Sequence, residues 1–98
     1  MEFSWDPAKS DANYRDRGFD FAFASLIFGG PTLEREDTRR DYGERRIIAI
    51  GRAMGFELTV CYTDRPGPVG DTVSRRIISA RRSNRHERQA YRKAIAKG

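Results

Sequence analysis

Seven arginines fall between Arg75 and Lys93, in the run RRIISARRSNRHERQAYRK. Arginine is costly inside a core, and solubility does not require so many. Its planar guanidinium matches a phosphate and stays charged at any working pH. Cleaving RNA asks little more of a protein. The 2′-hydroxyl already sits beside the phosphorus. It must lose a proton, charge must be stabilised on the phosphoryl oxygens, and the leaving oxygen must be protonated. Preorganised positive charge serves the second task. An arginine-rich face with one or two acids therefore suits ribonuclease chemistry without a metal.

Other chemistries lack their parts. The chain has one histidine and one cysteine and no HxxxH, CxxC or DxD pattern. In EREDTRRD the acids are interleaved with arginines that would oppose a cation. No metal or other cofactor is expected. The P-loop and GxSxG patterns are absent. A nucleophilic pair would need His86 beside Cys61, and Cys61 reads as mid-strand packing. His86, in the first turn of a helix, is either a solvated surface residue or a general acid, for which its intrinsic pKa is suited.

Charge is unevenly spread. The net charge is +5, yet Arg75–Gly98 alone carries +8 and the preceding residues sum to −3. Such an end suits a polyanion or an acidic protein, or it is a solvated basic helix. The 98 residues make one domain, 1–98, with a single modest core. Eleven aromatics argue against disorder. One cysteine allows no internal disulfide, and no apolar run suggests a membrane span or a signal peptide, so a cytoplasmic protein is expected.

The elements that must position these groups can be read from caps and periodicity. Phe3–Trp5 reads as a short strand. Asp6 then caps a helix with Pro7 at its first position, and Gly18 ends it. Asp20 caps a second, buried helix over Phe21–Phe28. Strands follow at Thr32–Asp37, Arg45–Arg52, Phe56–Thr63 and Val73–Ala80, with a tight turn at Gly55. Short connections imply an antiparallel meander. Asn84 and Glu87 form a capping-box pair for a last helix, with Ala90, Tyr91, Ala94 and Ile95 as its core stripe. The fold class is α+β: a central antiparallel sheet of about four strands, two N-terminal helices and one C-terminal helix. Helices grouped at the chain ends predict packing on one sheet face. The other face, with Glu57, Thr59 and Cys61, would be polar and open.

Alternation places Arg75, Ile77, Ser79 and Arg81 on one face of the last strand and Arg76, Ile78 and Ala80 on the other. Both faces then carry an arginine and an isoleucine, which leaves the strand unoriented. Arg46, Ile48, Ile50 and Arg52 share a face. Arg65 ends its strand at a loop, where it could reach a phosphate. Arg46 and Arg76 could equally pair with Glu44 or Glu57 across the sheet. Trp5 and Tyr91 read as core, although an exposed indole could stack on a base. Arg85, Arg88 and Arg92 share a helix face.

The chain resembles the BrnT family, the toxin half of bacterial type II toxin–antitoxin pairs. The resemblance rests on WDPAK at Trp5–Lys9, Asn13, Gly18, Phe21, GERR at Gly43–Arg46, Gly51, YTDR at Tyr62–Arg65, RIISAR at Arg76–Arg81, Glu87–Arg88 and Tyr91. It implies a RelE-like fold and a metal-independent endoribonuclease that blocks translation. It implies a BrnA-like antitoxin partner, through which the complex would bind operator DNA. It also implies an RNA site at Glu44, Arg46, Arg65, Arg76 and Arg81, where Arg76 and Arg81 would hold phosphate. The family pattern does not fix roles, and chemistry makes Glu44 the base candidate. Arg82, Arg85, Arg88 and Arg92 are the expected further RNA contacts. Two departures stand out. Arg17 occupies a place where the family usually has histidine and is taken as structural, and the loop Pro66–Asp71 is longer than usual. The competing readings are a small basic nucleic-acid-binding module without catalysis and a protein whose basic surface serves only an acidic partner.

Overall fold

The computed structural model describes residues 1–98. Strand β1 (Glu2–Trp5) leads into helix α1 (Pro7–Arg17). The Asp6 carboxylate accepts the Ala8 N–H, and Gly18 closes the helix in the left-handed conformation, φ 84°. Helix α2 (Phe21–Ala24) follows at once, capped by Asp20. Asn13 donates to the Phe19 carbonyl at 2.9 Å, and the buried Ser10 hydroxyl accepts the Phe21 N–H at 3.0 Å. These two polar side chains fix the angle between the helices. The expected single helix over Phe21–Phe28 instead tightens into a 3₁₀ turn at Ser25–Gly29.

The remaining elements are β2 (Leu33–Glu36), β3 (Ile47–Ala53), β4 (Phe56–Pro66), β5 (Val73–Arg82) and α3 (Arg85–Lys97). The sheet corrects the four-strand antiparallel expectation. It has five strands in the order β1-β5-β4-β3-β2, and β1 pairs with β5 in parallel. The chain's first strand thus pairs with its last, a non-local contact that local sequence does not announce. Met54 and Gly55 both take positive φ, 50° and 86°, in the two-residue hairpin between β3 and β4.

The core lies between the sheet and the N-terminal helices. Phe21, Ala24 and Ile27 pack on Ala49, Ala53, Leu58, Val60, Tyr62, Ile77 and Ala80. Full burial of a large apolar side chain contributes about 1.5–3 kcal/mol. The 3₁₀ turn rides directly on β3 at Gly51, where an added Cβ would meet Ile27 Cβ at 2.8 Å. Gly51→Ala is expected to cost about 1–3 kcal/mol by overpacking, measured as a shift in the urea midpoint. An unchanged midpoint would show that the turn can move away.

Helix α3 does not join the other helices. It packs on the opposite sheet face, which corrects the one-face expectation. Arg92 donates to both oxygens of Glu57 on β4, at 3.0 and 2.7 Å. The Arg52 guanidinium of β3 lies 5.4 Å from the centre of the Tyr91 ring. The Tyr91 hydroxyl donates to the Pro31 carbonyl at 2.8 Å. Asn84 and Glu87 complete the expected capping box. Of the expected core stripe, Tyr91 is fully buried, while Ala90, Ala94 and Ile95 are half-buried. Glu57 and Thr59 are consequently covered rather than open.

Candidate active site

A β-bulge decides which side chains share the uncovered part of this face. Cys61 pairs with Ser79, but Tyr62 pairs with Ile77, so Ile78 is the extra residue. Below the bulge, Arg75 faces the helices, with its guanidinium 4.0 Å from the centre of the Tyr62 ring. Strict alternation would place Arg81 on that same side. The bulge inverts the order: Arg81 instead reaches α3, and Arg82 covers the Phe56 ring on the helix side at 4.9 Å. Arg76 and Arg81 therefore share one face. Two-fold alternation had separated them.

The face can be followed row by row. Arg46 precedes Ile47, the partner of Tyr62, and so lies beside Thr63, which pairs with Arg76. The next row is Arg35, Ile48, Cys61 and Ser79. The row after it is Leu33, Ile50, Thr59 and Arg81, against which α3 begins. Thr63 and Thr59 are four residues apart, about 13 Å at the rise of a strand.

At the first end, Glu44 accepts from Arg46 Nε at 3.1 Å and from Arg65 Nη2 at 3.2 Å. Arg46, and then Arg65, hold the Glu44 carboxyl below its ordinary pKa. Arg46 also lies 4.1 Å from the centre of the Tyr42 ring. The Tyr42 hydroxyl donates to Asp37 at 3.1 Å, and Arg39 donates to both Asp37 oxygens at 2.8 Å. Asp37 is buried and held well below the usual carboxylate range, first by Arg39. This buried carboxylate organises the loop that presents Glu44 and Arg46. Arg76 is half-buried and makes no ion pair.

At the other end, Arg81 Nη1 and Nη2 donate to the two Glu87 oxygens at 2.7 and 2.8 Å. That guanidinium, helped by the Asn84 N–H and opposed by burial, pushes the Glu87 carboxyl down to about 2. Between the two ends lies a cleft of about 270 Å³ over Ile48, Cys61 and Ser79, walled by Arg17, Arg35, Arg39 and Arg81. Burial pushes the Cys61 thiol up, which disfavours a thiolate. His86 is exposed and borders Arg35 and Ile48 from the side of α3.

The structure thus gathers Glu44, Arg46 and Arg65 through direct contacts. Arg76 stands beside them on the same face, and Arg81 lies two rows away. The further arginines do not form one surface. Arg82 is on the opposite face, Arg88 donates to the Ser83 carbonyl at 2.8 Å, and Arg92 is bound to Glu57. Only Arg85 of that set is exposed without a partner. Sequence reading gave Arg17 a structural role and did not single out Arg35, Arg39 or the organising pair Asp37 and Tyr42. The signal was present in EREDTRRD, whose arginines counted there only as charges opposing a cation.

The family model for the ribonuclease toxin BrnT, of type II toxin–antitoxin systems, matches residues 5–87. The chain belongs to the BrnT ribonuclease toxin family. No curated protein matches it. The BrnT match runs from Trp5 through Glu87 and so contains both ends of the sheet face and the bulge between them. Most of α3, including Tyr91 and Arg92, lies beyond it. Membership makes this a toxin-family protein of ribonuclease type, with RNA as substrate class and an antitoxin as partner. No helix is long and apolar enough to cross a membrane.

Proposed function

We propose that this BrnT-family chain is a metal-independent endoribonuclease whose reacting phosphate sits over the Arg46–Thr63–Arg76 row. The observation that carries the reading is Arg76. It is a half-buried arginine without a carboxylate partner, in the row of Arg46, whose own partner Glu44 already holds two guanidiniums. Arg46 and Arg76 stabilise charge on the phosphoryl oxygens. A phosphate that draws Arg46 and Arg65 from Glu44 removes the groups that depress its pKa, and Glu44 then accepts the 2′-hydroxyl proton. The bond from the 2′ oxygen to phosphorus forms and the bond to the 5′ oxygen breaks. That oxygen takes a proton from solvent on the open face. The products carry a 2′,3′-cyclic phosphate and a 5′-hydroxyl. Metal independence is supported by the donor set, in which no three His, Cys, Asp or Glu side chains converge.

The protein would act in the cytoplasm, block translation by cutting RNA, and be held by a BrnA-like antitoxin that carries the complex to operator DNA. Cleavage of an end-labelled RNA in excess EDTA tests the reaction. Discrete fragments ending in cyclic phosphate are expected. An RNA that stays intact yet shifts on a native gel would favour the binding module without catalysis, a reading consistent with the charge-compensated state of Glu44.

A further inference from the structure

The cleft between the two ends of the face is built from parts that the proposed reaction does not use. Its four guanidiniums arrive from separate places: Arg17 from the end of α1, Arg35 from β2, Arg39 from the loop after β2, and Arg81 from β5. No carboxylate lines it. Asp37 and Glu87 hold Arg39 and Arg81 by two bonds each, which leaves Nη1 of Arg39 and Nε of Arg81 without a protein acceptor. Arg17 reaches over the edge of β5, beyond the last residue paired with β1, and makes one long bond of 3.4 Å to the Ala80 carbonyl. Arg35 is exposed and enters no ion pair. Four cations around one concavity, with two counter-charges, repel one another unless an anion enters. The pairs that fix Arg39 and Arg81 also preorganise them, so an entering anion finds its donors already placed.

Chemistry and position together identify that anion. The donors are guanidiniums, which match phosphate oxygens. The floor is small and neutral, Cys61 and Ser79, and it continues directly into the Arg46–Thr63–Arg76 row. We infer that the Arg17–Arg35–Arg39–Arg81 cleft is a second phosphodiester subsite, which holds a phosphate of the RNA other than the one cut. It rests on the ribonuclease reading above and adds a direction to it: the substrate runs along β4, from the row of Thr63 toward the start of α3.

The test uses Arg35→Ala and Arg17→Ala. Arg35 has no intramolecular bond to lose, and Arg17 loses only a long one, so both variants should fold. Binding of a 2′-O-methyl oligoribonucleotide, which cannot be cut, is measured by fluorescence anisotropy over a salt series. Cleavage of the matching RNA is followed in parallel. Each variant should bind about tenfold more weakly, the loss expected for one charge-assisted contact. The slope of log affinity against log salt should flatten by about 0.7 per lost phosphate contact. In cleavage, KM should rise by a similar factor with kcat retained. Wild-type affinity and slope in both variants, with an active parent, would overturn the subsite alone. A fall in kcat with KM unchanged would overturn it too, because the cleft would then hold the reacting phosphate. A parent protein that neither binds nor cuts RNA would overturn the ribonuclease reading and the subsite with it.

Discussion

Arg76→Ala should lower RNA cleavage by about 10²–10³-fold, the usual effect of removing one preorganised charge stabiliser. Its circular-dichroism spectrum and urea midpoint should match the parent. The contrast with its neighbour gives the experiment its force. Arg75 donates to both oxygens of Asp64 at 2.8 and 2.9 Å, and it covers the Phe28 and Tyr62 rings on the helix side. Arg75→Ala removes packing and an ion pair, so it should lose stability while the folded fraction keeps its cleavage rate. Arg76 has no such partner, and its only evident work is toward a ligand. A folded Arg76→Ala protein that cuts RNA as fast as the parent would remove Arg76 from the site.

The largest stability loss is expected at Tyr91. It is 1% exposed and is the largest of the fully buried side chains. Tyr91→Ala should cost about 3–5 kcal/mol through lost burial and the cavity left behind. Domains of this kind have about 5–15 kcal/mol in total, so that variant should unfold at markedly lower urea. Tyr91→Phe separates the ring from the hydroxyl. It loses only the bond to the Pro31 carbonyl and should cost about 1 kcal/mol. If Tyr91→Ala unfolds at the parent's midpoint, the docking of α3 on the sheet is wrong. The expectation matters for function because α3 presents Glu87, which fixes Arg81.

What could be read from sequence was local. The caps at Asp6, Asp20 and Asn84, the stop at Gly18, the turn at Gly55 and the alternation of β4 depend on residues within one or two turns of one another. The parallel pairing of β1 with β5 joins residues some seventy apart and leaves no local trace. The side on which α3 packs was also hidden. Its polar contacts, Arg92 to Glu57 and Arg81 to Glu87, look in sequence like solvent-facing charge. Glu44 and Arg46 could be picked out because they stand together in GERR, one of the motifs that carry the family resemblance. The Arg17–Arg35–Arg39 cluster could not, because its members meet only after the sheet has formed.

The bulge at Ile78 gives β5 something like a reading frame. Residues before it are assigned to the two faces in one phase, and residues after it in the other. Replacing Ile78 by another apolar residue leaves that phase intact. Deleting it would remove the bulge and keep the phase, because Ser79 would follow Ile77 directly and stay opposite Cys61. Adding one residue between Ile78 and Ser79, with the bulge retained, would instead exchange Ser79 and Arg81 on the cleft side for Ala80 and Arg82. The distribution of charge between the two faces therefore depends on residue count as much as on residue identity. In this strand, length is inherited information in its own right.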